Sequence, residues 1–132
     1  MTYCLDTNII SYHLNGNKDI LKHFETLAEN DDEILIPNVA YYEIKRGLIA
    51  NGATTKMSKF LSFAKTLGIA ELRNSTLEIA AQIYADLAKT GQMIEDDDIF
   101  IGATAIENDA ILVTNNKEHL GRIKGLKIEV WN

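Results

Sequence analysis

Short apolar runs alternate with longer amphipathic stretches along this chain. The runs TYCL, EILIP, GIAEL, ILVT and LKIEVW are predicted to be β-strands, because each is short, apolar and bounded by polar or turn-forming residues. Between them, apolar residues recur at spacings of three and four, which is typical of helices that bury one face. Strands and helices that alternate in this way predict an α/β fold, with a central parallel sheet covered by helices on both faces.

Two of the helices have predicted caps and apolar faces. In NVAYYEIKRGLIA, Asn38 is a candidate N-cap. The apolar positions of this helix are predicted to include Val39, Tyr42, Leu48 and Ile49. Before a later helix, Ser75 and Glu78 have the spacing of a capping box. The apolar stripe of that helix is predicted to comprise Leu77, Ala80, Ala81, Tyr84 and Leu87.

Length and composition indicate one globular domain spanning residues 1–132. Cys4 is the single cysteine, so no intrachain disulfide can form and a reducing compartment is expected. The N-terminus has no secretory pattern and no apolar stretch is long enough for a membrane span, so we expect a cytoplasmic protein with no membrane partner. A net charge of −6 argues against bulk electrostatic binding of nucleic acid, but is compatible with an enzyme whose acids hold a cation.

Three acidic residues are positioned to meet at one edge of the predicted sheet. Asp6 directly follows the first strand, and Glu43 lies in the helix that follows EILIP. Asp98 is the innermost acid of EDDDIFIGA, at the start of an almost wholly apolar helix. Ligands of open parallel sheets collect outside the carboxyl ends of the strands, which favours these acids as a site. The structural alternatives are that Asp6 only caps a helix and that Glu43 only faces solvent.

The other acids of this cluster have a simpler interpretation. Asp96 and Asp97 are expected to complement the helix dipole or to lie outside the cleft. Gly102 shares a helix face with Asp98 and has no side chain, which predicts a close approach of another group there.

Three carboxylates in one cleft require a cation, because like charges at short range disfavour one another's ionised form. The three histidines are scattered without metal-ligand spacing, which argues against zinc. Oxygen ligands favour Mg²⁺ or Mn²⁺, which suit the hydrolysis of a phosphodiester by a metal-activated water.

Four stretches in this order resemble one known family. LDTN ends the first strand, YYEIKRG lies on the third helix, and DDIFIGATA and LVTNN follow towards the C-terminus. Together they resemble the PIN-domain ribonucleases, and most closely the VapC-type toxins of toxin–antitoxin pairs, over almost the whole chain.

The resemblance implies a three-layer α/β/α sandwich and a Mg²⁺-dependent endoribonuclease with an acidic cleft. Asp6, Glu43 and Asp98 would be the catalytic acids, and Asp6 and Asp98 the direct metal ligands. Glu43 would act on the water or on a second ion. The residues implied to orient the cleft are Thr7, Asn8, Thr114 and Asn115.

Asn116 departs from the family pattern, since many relatives have a fourth acid at this position. An amide oxygen can bind a cation but adds no charge, so one firm metal is expected, with Asn116 as an optional ligand of a second.

The resemblance also implies partners. They are an RNA substrate, a cognate antitoxin whose tail would obstruct the cleft, and a second copy of the chain in a homodimer. DNA would be contacted only indirectly, through the antitoxin.

Three alternatives compete with a nuclease. A receiver-like phosphoacceptor domain would need an acid pair after the first strand and an acceptor Asp after a middle strand, and this chain has only Asp6 there. A dehalogenase-type phosphatase would need an acid where Asn8 stands. A catalytically weak PIN domain that serves as a binding module is favoured by Asn116 alone.

Overall fold

The fold is built on one five-stranded sheet, in a computed structural model that describes residues 1–131. All neighbouring strands are parallel, in the order β3-β2-β1-β4-β5. The strands are β1 (Thr2–Leu5), β2 (Glu33–Pro37), β3 (Gly68–Ala70), β4 (Ile111–Thr114) and β5 (Lys127–Val130). All five predicted strands are therefore confirmed.

In residues 1–131, seven helices flank the sheet and complete the predicted α/β/α sandwich. They are α1 (Thr7–Leu14), α2 (Lys18–Glu29), α3 (Asn38–Ala50), α4 (Thr54–Lys65), α5 (Asn74–Lys89), α6 (Asp96–Glu107) and α7 (Lys117–Leu120). Within the part of the chain that the structure describes, no helix has both the length and the apolar character needed to cross a membrane.

The strand order determines where the carboxyl ends of the central strands meet. In the register, Cys4 of β1 lies opposite Leu35 of β2 on one side and Leu112 of β4 on the other. The chain leaves β1 towards one side of the sheet and β4 towards the other, so the order reverses between these two strands. Such a switch point opens a crevice at the carboxyl edge. Asp6 and Thr114 lie there.

The core occupies the space between the sheet and the helices. Buried side chains come from β1, β2 and β4 and from one face of each longer helix, and Cys4 is fully buried as a free thiol. Helix α6 contributes Ile99, Ile101, Ala103 and Ala105, in agreement with its almost wholly apolar sequence.

Helix α3 differs from its predicted packing. Ala40 and Ile44 are buried, whereas Tyr42 is 60% exposed and Ile49 is 64% exposed. Asn38 is the first helical residue and does not cap the helix, so this prediction was wrong. Its side-chain oxygen instead accepts a hydrogen bond from the N–H of Leu72, at 3.2 Å, and ties α3 to the segment after β3.

Helix α5 is rotated relative to its prediction. Its buried positions are Thr76, Ala80, Ile83 and Leu87, while Leu77 and Tyr84 are exposed. The predicted capping box of Ser75 and Glu78 is wrong, because the helix begins at Asn74, one residue before Ser75, and Arg73 is its N-cap. The Thr76 hydroxyl accepts the Arg73 N–H at 3.0 Å and also donates to Glu107 of α6 at 2.7 Å. The cap is therefore built by a residue that also joins two helices.

Candidate active site

Asp6 lies at the carboxyl end of β1 with only 4% of its surface exposed. Its Oδ1 accepts the Thr7 N–H at 2.8 Å, which caps α1, and its Oδ2 accepts the Thr114 hydroxyl at 2.7 Å. The two interpretations of Asp6 therefore hold together: it caps a helix with one oxygen and joins β1 to β4 with the other.

Burial raises the pKa of Asp6 above its ordinary value, because desolvation penalises the charged carboxylate. The hydrogen bonds from Thr114 and Thr7 act in the opposite direction, and the nearby charge of Asp97 adds to the increase. The site thus holds a carboxylate at an electrostatic cost that a cation would relieve.

Glu43 lies on α3, which begins directly after β2 at Pro37. The Thr7 hydroxyl donates to its Oε1 at 2.9 Å, and only 15% of its side chain is exposed. The expectation that a mid-helix Glu faces solvent is therefore wrong. Thr7 connects the two acids, since its N–H bonds Asp6 and its hydroxyl bonds Glu43.

The pKa of Glu43 is raised to about 7, first by burial and then by a shared hydrogen bond and charge repulsion with Asp97. Arg46 lies one helical turn away, with its nitrogen 3.9 Å from the second oxygen of Glu43, and offsets part of this increase. A carboxyl group with a pKa near 7 can accept or release a proton at neutral pH.

Asp97 lies at the cleft, so the prediction that it lies outside was wrong. It lines the same cavity as Glu43 and raises the pKa of that residue, and its charge raises the pKa values of Asp6 and Asp98 as well. Its Oδ1 also accepts the N–H of Asp98 at 3.0 Å. Asp96, by contrast, is exposed, as predicted. The sequence could have indicated the position of Asp97, because Asp97 lies three residues before the half-buried Phe100 and therefore on the same face of the helix.

Asp98 has 17% of its side chain exposed, in the first turn of α6. Its pKa is raised to about 6, by burial and then by the charges of Asp6 and Asp97, with His119 opposing this increase. The Nδ1 atom of His119 lies 3.9 Å from Oδ2 of Asp98. Sequence reasoning missed His119, which follows the strand end TNN on the short helix α7.

Gly102 allows the close approach predicted for its helix face. A Cβ atom built there would lie 2.6 Å from Cδ1 of Ile123. The group that approaches is therefore an aliphatic side chain, which packs the segment after α7 against α6. This packing helps to fix the helix that carries Asp97 and Asp98.

The remaining predicted residues have structural partners. The Asn116 oxygen accepts the N–H of His119 at 3.3 Å and caps α7, while the Asn116 N–H donates to Thr114 at 2.9 Å. Asn115 donates to the Tyr12 hydroxyl at 2.6 Å. Asn8 is exposed on the first turn of α1. Among the predicted orienting residues, Thr7 and Thr114 contact the acids directly.

The cleft offers carboxylate and hydroxyl oxygens, which are the ligands that a hard cation such as Mg²⁺ prefers. Within residues 1–131, however, no three His, Cys, Asp or Glu side chains lie close enough together to hold one ion as they stand. Mg²⁺ commonly takes only one or two carboxylates directly and keeps several waters. The arrangement therefore suits direct contact by two acids at most, with the third acting at longer range.

A match to a family model supports the assignment of the fold. The PIN domain model matches residues 3–126. Ribonuclease VapC2 of Rickettsia felis is 31% identical over 134 residues, which cover 100% of this chain and 99% of that protein. The tRNA(fMet)-specific endonuclease VapC of Shigella flexneri is 23% identical over 133 residues, with 100% and 99% coverage.

Solved structures agree with this match. The crystal structure of VapBC2 from Rickettsia felis bound to a DNA fragment from their promoter superposes with a TM-score of 0.92 at 30% identity, covering 100% of both chains. The DNA-bound VapBC of Salmonella typhimurium gives a TM-score of 0.90 at 22% identity, covering 100% of this chain and 99% of the other, and supports the fold. The chain belongs to the PIN domain family, and within it to the VapC group. This membership excludes the receiver-like and phosphatase alternatives.

Proposed function

We propose that this protein is an endoribonuclease and the toxin of a toxin–antitoxin pair, with Asp6, Glu43 and Asp98 as its catalytic acids. The observation that carries the proposal is the network of Thr7, Asp6, Thr114 and Glu43, which holds the buried Asp6 and the partly buried Glu43 together at the switch point of the sheet. The names of its relatives in Rickettsia felis and Shigella flexneri, which describe ribonucleases, support the same reaction.

A divalent cation, Mg²⁺ or Mn²⁺, would be held by Asp6 and Asp98 through carboxylate oxygens. When bound, such an ion lowers the pKa of a water molecule and stabilises charge on a phosphodiester. Support comes from the raised pKa values of the acids, since a cluster that resists ionisation gains most from a nearby positive charge.

The protein's own residues would position the metal ligands and accept the proton of the attacking water. Thr7 and Thr114 hold Asp6 in one rotamer through short hydrogen bonds. Glu43, with its pKa of about 7, is the proton acceptor for the attacking water, and Thr7 orients its Oε1. Asp97 sustains this pKa by sharing a hydrogen bond with Glu43. Asn116 would contribute no ligand, because its side-chain oxygen already caps α7.

The proposed partners follow from the relatives. The Rickettsia felis relative is described in a complex with its partner protein and promoter DNA, so we propose a cognate antitoxin, with DNA contacted only through it. A homodimer is also proposed, as the resemblance to the VapC-type toxins implies. We further propose that residues 1–132 form one domain that acts in the cytoplasm, where the buried Cys4 stays reduced.

Induction in bacteria tests the proposed function. The wild-type protein should arrest growth, and RNA ends mapped after a brief induction should include new, discrete sites. Asp6→Asn should abolish both effects at equal protein level, while Asp96→Asn, which changes an exposed acid, should retain them. Continued growth with unchanged RNA ends during wild-type expression would contradict the proposal.

A further inference from the structure

An open cavity of about 790 Å³ adjoins the acidic residues. Glu43 and Asp97 form part of its wall, so the cavity is continuous with the candidate active site. Most of the rest of the wall is apolar, and a single cationic side chain, that of Arg46, reaches it. The remaining lining residues are Asn38, Val39, Tyr42, Leu72, Glu95 and Phe100.

Tyr42 is the more exposed of the two aromatic residues in this wall. It lies next to Glu43 in sequence, and 60% of its surface is exposed. The guanidinium carbon of Arg46 lies 5.1 Å from the centroid of its ring, a cation–π arrangement that restrains both side chains. Isolated exposed aromatic residues are common on protein surfaces and require no explanation. Tyr42 differs because its ring is held by a cation, lines a concave surface and adjoins catalytic acids.

A second, smaller cavity lies on the other side of Glu43. It has a volume of about 320 Å³, and Glu43 and Arg46 line it as well. Its wall is more polar than that of the first cavity and includes Ser11, Asn15 and Lys56, whose ammonium group donates to Asn15 at 2.7 Å. The surface around Glu43 therefore has an aromatic, apolar side and a polar side with a cation, which matches the alternation of base and phosphate in a nucleic acid.

We propose that Tyr42 and Arg46 form a nucleobase subsite, in which an unstacked base of the RNA beside the cleaved phosphate stacks on the exposed part of the Tyr42 ring. The inference rests on the proposed ribonuclease activity and adds a substrate contact to it. Proteins bind single-stranded RNA by stacking splayed bases on aromatic rings and guanidinium groups. An RNA base is favoured over a protein side chain here because both cavities share Glu43 and Arg46, so one strand can occupy both at the cleaved bond.

Three variants test the subsite in the intact protein. Tyr42→Ala removes the ring, Tyr42→Phe keeps it, and Tyr84→Ala removes a comparably exposed tyrosine, 52% exposed, from α5. Cleavage of a short single-stranded RNA would be measured for each, with kcat and KM separated. Binding would be followed by the fluorescence of 2-aminopurine placed beside the cleaved bond, in an Asp98→Asn background that does not cut. Thermal melts establish that each variant is folded.

Loss of stacking should reduce kcat/KM of Tyr42→Ala by about 5- to 150-fold, mostly through KM, because a base stacked before and during reaction contributes uniform binding. The 2-aminopurine quenching should disappear with it. Tyr42→Phe should restore both, and Tyr84→Ala should match the wild type.

The outcomes separate this inference from the proposed function. Wild-type cleavage together with unchanged cleavage and quenching in Tyr42→Ala would overturn the subsite alone and leave a protein side chain as the occupant of the cavity. Absence of cleavage by the wild-type protein would overturn both the proposed function and the subsite that rests on it.

Discussion

The Thr114 hydroxyl donates a 2.7 Å hydrogen bond to the buried carboxylate of Asp6, joining residues 108 positions apart in the chain. This contact links the ends of the two strands between which the sheet order reverses. Thr114 is fully buried, and its hydroxyl also accepts the Asn116 N–H at 2.9 Å. One hydroxyl therefore connects the acid at the end of β1 with the cap of α7.

Thr114→Val should destabilise the protein by about 1–3 kcal/mol, because it leaves a buried carboxylate oxygen and a backbone N–H without their partner. Urea unfolding at neutral pH measures the change. Thr114→Ser keeps the hydroxyl and should recover most of the loss. Equal free energies of unfolding for Thr114→Val and the wild type would show that this hydrogen bond does not stabilise the fold.

Asp98→Ala should lose RNA cleavage by at least about 100-fold while raising the melting temperature in metal-free buffer. The charge of Asp98 opposes those of Asp6 and Asp97, so its removal relieves repulsion. Asp96→Ala, in the same helical turn but exposed, serves as the control and should change neither property appreciably. Cleavage at the wild-type rate by Asp98→Ala would exclude Asp98 from the mechanism.

Stability of the metal-free protein should fall as pH rises from about 5 to about 8. The pKa of Glu43 rises from 4.5 to about 7 on folding, and that of Asp98 from 3.8 to about 6. The folded state therefore holds protons that the unfolded state has lost, which favours folding at the acidic end of this range. We expect a loss of about 1–2 kcal/mol, reduced from the full effect because both groups retain contact with solvent.

Denaturant unfolding across this pH range measures the effect, and Glu43→Gln and Asp98→Asn should each flatten the profile. A free energy of unfolding that increases towards pH 8 in chelator would contradict the raised pKa values of these two acids.

Gly102→Ala should destabilise the protein by about 1–3 kcal/mol, since the added methyl group would lie 2.6 Å from Cδ1 of Ile123. Gly47→Ala is the matched control, because Gly47 also lies in a helix but has no atom within 4 Å of the added carbon. That substitution should stabilise by about 0.5–1 kcal/mol through the lower helix propensity of glycine. Paired thermal melts measure the contrast, and similar shifts for both would refute the packing role of Gly102.

The strands and helices could be predicted well from the sequence, because the spacing of apolar residues and the length of apolar runs directly reflect which side chains are buried. All five strands and the buried helix α6 are confirmed. Helix faces were predicted less accurately. In α5 the buried set begins at Thr76, a polar residue that apolar periodicity passes over, and Tyr42 of α3 resembles a core residue by type alone.

The rule that strand ends converge predicts that Asp6 and Thr114 lie at the same edge of the sheet, and the structure has them there. That rule did not identify Asp97 as a cleft residue. Neighbouring acids on one helical turn differ only in the direction of their side chains, and this direction depends on how α6 packs against the rest of the fold. It did not identify the capping role of Asn116 either, since the short helix α7 that uses its oxygen is determined by tertiary contacts.

The most direct test of metal-assisted catalysis at these acids is RNA cleavage by the purified protein with Mg²⁺, after EDTA, and after Mg²⁺ or Mn²⁺ is restored. We predict cleavage with Mg²⁺, at least about 100-fold slower cleavage in EDTA, and recovery with either ion, with Asp6→Asn inactive throughout. Undiminished cleavage in EDTA, or wild-type activity from Asp6→Asn, would contradict a metal-assisted reaction at this group of acids.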